Sequence, residues 1–255
     1  MDITQIRNAT LIVELAGTRF LVDPMLAGQG EQPPFPATPN EHLRNPLVPL
    51  PMPLEEVLRV DAVIVTHTHR DHWDHAAVEA IPKDLPVFAQ DEADRERIAA
   101  AGFRDVRLID GSRFGGVDLA KTPGQHGSDD AMAKIGPRLG EVCGVVFRAP
   151  GEKTLYLAGD TVWNEHVRES IEKHVPEVII LNCGDARING VGPIIMGRQD
   201  VREVCLAAPA AQIVATHLEA VNHAVLSRRE LREFLIENGL VERVAIPADG
   251  ETLRI

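Results

Sequence analysis

Three cysteines in 255 residues, Cys143, Cys183 and Cys205, are odd in number and far apart, and each sits among apolar neighbours, so a disulfide framework is not expected. They read as buried thiols. Aromatic residues make up only 4% of the chain, which leaves little material for the stacking platforms that single-stranded nucleic acid needs. Positive charge is also short: 26 Lys and Arg against 38 Asp and Glu give −12, which disfavours general attraction to nucleic acid or anionic lipid. No apolar run reaches the roughly 18 residues of a membrane helix, and Met1-Asp2-Ile3-Thr4 has no basic start leading into an apolar core. The expectation is a cytoplasmic protein with no membrane partner, nucleic acid disfavoured, and homo-oligomer formation left open. With 44% hydrophobic and 25% charged residues, a sizeable core is available and one domain over 1–255 is the default.

What the chain does have is alternation. Leu11-Ile12-Val13-Glu14-Leu15 and Arg19-Phe20-Leu21-Val22-Asp23, joined through Ala16-Gly17-Thr18, predict a hairpin. Residues 25–53 then carry eight prolines, which forbid regular helix or central strand. An unstructured stretch of that length suits a binding loop or lid, or a surface wrap. Beyond it, 62–66 is an apolar run suited to a strand buried on both faces, followed by a helix over 73–81. A strand over 85–89 and a helix over 91–101, closed by Gly102, come next. Strands are expected over 106–109, 117–121, 142–149 and 154–158. Helix and strand then alternate again: Val167, Ile171 and Val175 share one helical face, 177–182 is a strand, 200–208 a helix and 212–216 a strand. Ser227-Arg228-Arg229-Glu230 is a capping box opening a helix with Leu231, Phe234 and Leu235 inward and Gly239 as its stop. Strands over 241–246 and 252–255 complete the pattern. It predicts an α/β sandwich of two mixed sheets with helices on the outside.

The histidines are unevenly spread. Four of the ten, His67, His69, His72 and His75, fall within nine residues, with Asp71 and Asp74 between them. The block begins where the apolar run 62–66 stops, which puts its side chains on a loop at the carboxyl end of a buried strand, a common place for ligand sites. Imidazoles two residues apart reach one ion if the loop is extended, while Asp71 and His72 are placed for a second, in a centre typically about 3.5–4 Å across. Imidazole and carboxylate donors without nearby cysteine suit zinc, manganese or iron rather than a structural thiolate site. His126, Asp160 and His217 each follow an apolar run in the same way, in Thr122-Pro123-Gly124-Gln125-His126-Gly127, Gly159-Asp160-Thr161 and Ile213-Val214-Ala215-Thr216-His217.

The block His67, His69, Asp71 and His72, followed in order by His126, Asp160 and His217, resembles the HxHxDH pattern of the metallo-β-lactamase fold superfamily over nearly the whole chain. Leu21-Val22-Asp23-Pro24, Gly159-Asp160-Thr161 and the histidine at the late strand resemble the branch containing ascorbate-6-phosphate lactonase. The resemblance implies a four-layer αββα sandwich and two divalent ions, zinc first, with manganese or iron as alternatives. It implies His67, His69 and His126 on one ion, Asp71, His72 and His217 on the other, and Asp160 bridging. Asp23 then stands near the metal as an orienting partner of a ligand imidazole, or simply caps the turn at Pro24. His75 and Asp74 are expected at a helix start as surface or capping residues. His223, six residues beyond His217 on the same loop, is a candidate for a substrate or proton-transfer role beside Asp71. His42, His166 and His174 are expected to be structural.

Such a centre implies hydrolysis by a metal-bridging hydroxide of an ester, lactone, amide or phosphodiester bond in a small molecule, anionic in the lactonase-like case. Arg138, Arg187 and Arg198 are candidates to pair with an anionic group, and the segments 25–53 and 182–198 to wall the pocket. A diiron oxygen- or nitric oxide-reducing centre would carry an acidic residue where His69 stands. A ribonuclease of the same fold is disfavoured by the acidic pI and few aromatics, and a non-catalytic metal-binding protein by the complete donor set.

Overall fold

The computed structural model describes all 255 residues. The chain begins with β1 (Asp2–Arg7), β2 (Thr10–Leu15) and β3 (Thr18–Val22), an antiparallel meander. The expected hairpin is β2–β3, with Leu15 opposite Thr18 and positive φ at both Ala16 (50°) and Gly17 (75°), the mirror-image turn that matches strand twist. β1 was not anticipated, because four of its six residues are polar; its pairing comes from β2 and from the far end of the chain. After residues 25–53, which form no helix or strand, come α1 (Leu54–Val57), β4 (Ala62–Val65), α2 (His75–Ala80), β5 (Val87–Ala89), α3 (Glu92–Ala100) and β6 (Val106–Leu108). The rest runs β7 (Arg113–Phe114), β8 (Val117–Pro123), α4 (Asp129–Leu139), β9 (Cys143–Arg148), β10 (Leu155–Leu157), α5 (Glu165–His174) and β11 (Val178–Asn182). It ends with β12 (Arg187–Ile188), β13 (Gly192–Pro193), α6 (Arg198–Ala207), β14 (Gln212–Thr216), α7 (Arg228–Glu237), β15 (Val244–Ala245) and β16 (Thr252–Arg254).

Two seven-stranded sheets result, ordered β16-β1-β2-β3-β4-β5-β6 and β15-β14-β11-β10-β9-β8-β7. Each is mixed: β3 to β6 are parallel in one, β15-β14-β11-β10 in the other, and the remaining pairs are antiparallel. Side-chain alternation along each strand sorts the core into three layers. Phe20, Ile64 and Phe88 of the first sheet meet Phe147, Leu155, Val178 and Val214 of the second between the sheets. The opposite faces take the helices: Leu21, Val63 and Val87 pack on Ala77 and Ile98, while Tyr156, Ile179 and Ile213 pack on Val167, Val201, Leu231 and Leu235. This is the expected four-layer α/β sandwich.

Local departures have local causes. The helix expected over 73–81 starts at His75, because the Asp74 carboxylate accepts from the Ala77 amide as its N-cap and leaves Trp73 buried outside it. α4 was not anticipated, since Gly136-Pro137 argues against helix; Ser128 caps its start, and the backbone breaks at Ile135 (φ −138°) to admit Pro137 near the end. The Ser227–Glu230 capping box opens α7 as read. No helix is long and apolar enough to cross a membrane.

The proline-rich segment is tied down by side chains. The buried Arg7 guanidinium donates to the carbonyls of Met25 (2.6 Å), Ala27 (2.9 Å) and Val48 (3.0 Å). Asp74 accepts from the Ala27 amide, and Asn222 binds four points of the strap: the Phe35 amide, the Thr38 hydroxyl, the Pro39 carbonyl and the Asn45 side chain.

Candidate metal centre

The cluster is built on loops that leave the ends of strands. Asp23 follows β3, His67 follows β4, His126 follows β8, Asp160 follows β10 and His217 follows β14. Two backbone positions hold the ends together. Gly159 has φ +71°, and a Cβ there would lie 2.2 Å from the Cys143 carbonyl oxygen, so only glycine lets β10 turn beside β9. His217 itself is left-handed (φ +61°), with its amide donating to the Asn8 carbonyl at 3.0 Å. The turn 69–72 closes with the His72 amide on the His69 carbonyl at 2.9 Å.

One carboxylate oxygen stands at the centre. Around Asp160 Oδ2 lie the Nε2 atoms of His72 (3.1 Å), His126 (3.7 Å), His217 (3.8 Å) and His67 (3.9 Å). Its other oxygen accepts from Asn182 Nδ2 at 2.7 Å, which fixes the orientation of the group. Asp71 Oδ2 faces His217 Nε2 at 3.5 Å. The far ring nitrogens of three histidines are engaged: His72 Nδ1 with Asp23 (2.8 Å), His126 Nδ1 with the Ile194 carbonyl (2.9 Å) and His67 Nδ1 with the Thr66 hydroxyl (3.2 Å). Asp23 is itself held by the Thr66 amide and hydroxyl, so it orients His72 rather than merely capping the turn at Pro24. Donor atoms of His67, His69 and His126 lie within 4.8 Å of one another, and so do those of Asp71, His72 and His217, and those of His67, His72 and Asp160.

The charges are unbalanced without a cation. Asp23, Asp71 and Asp160 are all buried, and no Lys or Arg pairs with any of them. Burial opposes the charge on His72, yet the carboxylates of Asp160 and Asp23 on its two nitrogens lift it well above the ordinary imidazole range. Burial, reinforced by His72 and His69, pushes His67 well below that range, and burial brings His126 to about 4 against the pull of Asp160. Burial would raise both acids, but His72 and His217 hold Asp160, and the hydrogen bond and charge of His217 together with His72 hold Asp71, below the ordinary carboxylate range. His67 Nε2 is buried with no hydrogen-bond partner. Buried carboxylates with no Lys or Arg partner, the lowered imidazoles of His67 and His126 and an unpaired inward nitrogen fit divalent metal ions.

A cavity of about 300 Å³ opens onto this cluster. His69, Asp71, His126 and His223 form its polar floor; Phe35, Leu139, Ile188 and Ile194 form apolar walls, and Arg70 and Arg138 also border it. His223 is 5% exposed, packs on the Phe35 ring at 4.4 Å between centroids, and is pushed down to about 4 by burial.

A family model described as "Beta-lactamase superfamily domain" matches residues 18–218. The chain belongs to the β-lactamase superfamily. The UPF0173 protein YddR of Bacillus subtilis is 46% identical over 254 residues, 99% of each chain. The solved structure of isothiocyanate hydrolase from Delia radicum gut bacteria is 47% identical with a TM-score of 0.97, covering 100% of this chain and 99% of that one. That of a possible metal-dependent hydrolase from Veillonella parvula is 43% identical with a TM-score of 0.98, at the same coverage. The UPF0173 metal-dependent hydrolase of Opitutus terrae is 31% identical over 194 residues, 72% of this chain and 73% of that one, and this chain is a metal-dependent hydrolase of the same family.

In this β-lactamase superfamily protein the seven residues named from sequence, His67, His69, Asp71, His72, His126, Asp160 and His217, come together in one place, and Asp23 and His223 border it. The other histidines lie apart: His75 is exposed on α2 beside Glu79, and the His174 carbonyl accepts from the Arg148 guanidinium at 3.0 Å. Of the three arginines considered for an anionic substrate, only Arg138 reaches the cavity, and it donates to the Pro36 carbonyl. Arg187 is paired with Asp185, and Arg198 lies over Phe234, both away from the cluster. The strap contributes Phe35, Pro36 and Thr38, and the 182–198 stretch contributes Ile188 and Ile194 rather than its glycines. Asn8, Asn182, Asn222 and Arg70 were missed. Arg70 alone had a signal, being a basic residue inside the histidine block.

Proposed function

We propose that this protein hydrolyses a small, uncharged and largely apolar electrophile, with an organic isothiocyanate as the first substrate class. The observation that carries this reading is the cavity itself, whose floor is the His/Asp cluster and whose walls are Phe35, Leu139, Ile188 and Ile194. The similarity to isothiocyanate hydrolase over the full chain supports the substrate class. The apolar walls favour a neutral substrate over the anionic one considered from sequence: of the three arginines considered there, Arg187 and Arg198 lie outside the cavity, and Arg138, which borders it, donates to the Pro36 carbonyl.

His67, His69 and His126 would hold one divalent ion and Asp71, His72 and His217 a second, with Asp160 facing both. Bound there, such ions lower the pKa of water towards neutrality and polarise the atom that accepts charge. The chain's own residues do the rest. Asp23 keeps the His72 proton on Nδ1 and leaves Nε2 as a donor atom facing the centre. Asp71, held ionised, is placed to take a proton from the attacking water. His223, at the cavity edge on Phe35, is placed to hand a proton to the leaving nitrogen or oxygen. The apolar walls keep competing water from the reacting carbon.

The test is elemental analysis followed by assay of the zinc-loaded chain on benzyl isothiocyanate, an uncharged aryl ester and a γ-lactone. Two ions per chain and release of benzylamine, abolished by a chelator and restored by zinc, are expected. A fully loaded chain that turns over none of the three overturns the reading.

A further inference from the structure

The cavity contains one cation without a partner. Arg70 sits between His69 and Asp71 in the turn, half-buried, with its guanidinium carbon 4.1 Å from the centroid of the Phe35 ring. It forms no ion pair, and its buried Nη2 has no hydrogen-bond partner. Buried or half-buried arginines elsewhere are engaged, Arg7 by three carbonyls, Arg148 by His174, Arg228 by Glu219 and Asp249, and Arg243 by Ala208 and Ala211, and the exposed Arg138 donates to Pro36. Taking a guanidinium part-way out of water with no acceptor is unfavourable, and nothing within the fold offsets it. His223 packs against the same Phe35 ring, and its buried Nδ1 is also unbonded. One aromatic ring from the strap therefore holds two unsatisfied polar groups at the border of one apolar cavity.

We propose that Arg70 is a substrate-binding residue that holds the negative charge which hydrolysis places on the substrate. This rests on the hydrolase reading above and specifies where the charge goes. In an isothiocyanate, R–N=C=S, water adds to the central carbon: the new C–O bond forms, the C=N π pair moves to nitrogen, and nitrogen takes a proton. The product R–NH–C(=O)–SH loses its remaining acidic proton and becomes a thiocarbamate anion. Cleavage of its C–N bond, with a proton delivered to nitrogen, releases R–NH₂ and carbonyl sulfide. The neutral substrate suits the apolar walls, whereas the anion formed from it needs a donor that the walls lack. The planar fork of arginine can share that charge between two atoms, and stacking on Phe35 limits its freedom before the anion forms. An ester or lactone would place the same demand on its carbonyl oxygen.

Arg70→Met keeps an apolar chain against Phe35 and removes the charge; Arg70→Lys keeps the charge without the fork. Benzyl isothiocyanate turnover in Arg70→Met is expected to fall about 100-fold in kcat with KM within threefold and metal content unchanged, as for loss of one charge-stabilising donor. Arg70→Lys should recover part of that loss, and ethylguanidinium should restore activity to Arg70→Ala. A purely structural role would respond to neither. Independently of turnover, phenylacetate binding measured by calorimetry should be about tenfold weaker in Arg70→Met than in the parent chain, with and without metal. Equal phenylacetate affinity in the two proteins overturns the role of Arg70 even if isothiocyanate is not a substrate. Turnover of Arg70→Met within threefold of the parent chain overturns it as well. Failure of the parent chain to hydrolyse any probe, with the affinity difference present, faults the hydrolase reading and not the anion site.

Discussion

The turn 66–72 and the strap 33–45 face each other across the same cavity, but they are held in different ways. The turn hangs on the end of β4, and the cluster it joins is oriented by groups in or just beyond strands: His72 by Asp23, which the Thr66 amide holds, Asp160 by Asn182 of β11, and His126 by the Ile194 carbonyl next to β13. The strap has no helix or strand and depends on a few side chains, chiefly Asn222, which joins the Phe35 amide, Thr38, Pro39 and Asn45. The cluster is thus placed by the register of many strands, and the strap side of the cavity chiefly by one buried amide side chain. Rigid strand ends suit a cluster in which a small displacement alters the donor set. A strap with few anchors can change its side chains without disturbing that cluster.

Removing a donor should do the most damage to the rigid side. His69→Ala is expected to strip metal from the His67–His69–His126 triad and to lower turnover by more than the ~100-fold typical of losing an outer partner, while the chain stays folded. Elemental analysis with circular dichroism checks this, and unchanged metal content removes His69 from the donor set. His223→Ala touches the strap side of the floor: turnover should drop about 100-fold, as for loss of one proton-transfer group, with metal content intact. Loss of metal in that variant would mean that the border between the two regions has been misplaced.

Asp23→Asn keeps the shape but weakens the hold on His72 Nδ1, and metal affinity, read by chelator competition, should fall about 10–100-fold. Asn222→Ala should lower stability by about 2–4 kcal/mol, since several strap partners lose their acceptor or donor at once. Limited proteolysis should then cut within 33–45 while the metal content holds; equal protection in both proteins would show that Arg7 and Asp74 suffice to anchor the strap. The smallest effect belongs to His75→Ala, whose exposed contact with Glu79 should be worth less than about 0.5 kcal/mol, with no change in metal content. A change in metal content there would extend the rigid region into α2.

These differences match what could be read in advance. His67, His69, Asp71 and His72 are adjacent in the chain, and apolar runs mark the strands before them, so block and location were both legible. His126, Asp160 and His217 were legible only as residues after strands; their convergence on one carboxylate oxygen comes from β8, β10 and β14 lying near each other in the second sheet. β1 was invisible because its partners are β2 and β16, the second of them at the other end of the chain. α4 was hidden because Gly136-Pro137 contradicts it locally, while Ser128 and the packing of Ala131 and Leu139 override that preference.

Strand periodicity, caps and the histidine block are short-range features, set by neighbours a few residues apart, and the sequence by itself determined them: two mixed sheets with outer helices, and a donor-rich loop at a strand end. The cavity is a long-range feature. Phe35, Arg70, Leu139, Ile194 and His223 come from five separate segments, and no local rule brings an Arg guanidinium and an imidazole to one phenyl ring. Only the tertiary structure decided that the proline-rich strap would roof the cluster, because a segment without its own hydrogen-bond ladder takes its course from the side chains that receive it, here Arg7, Asp74 and Asn222.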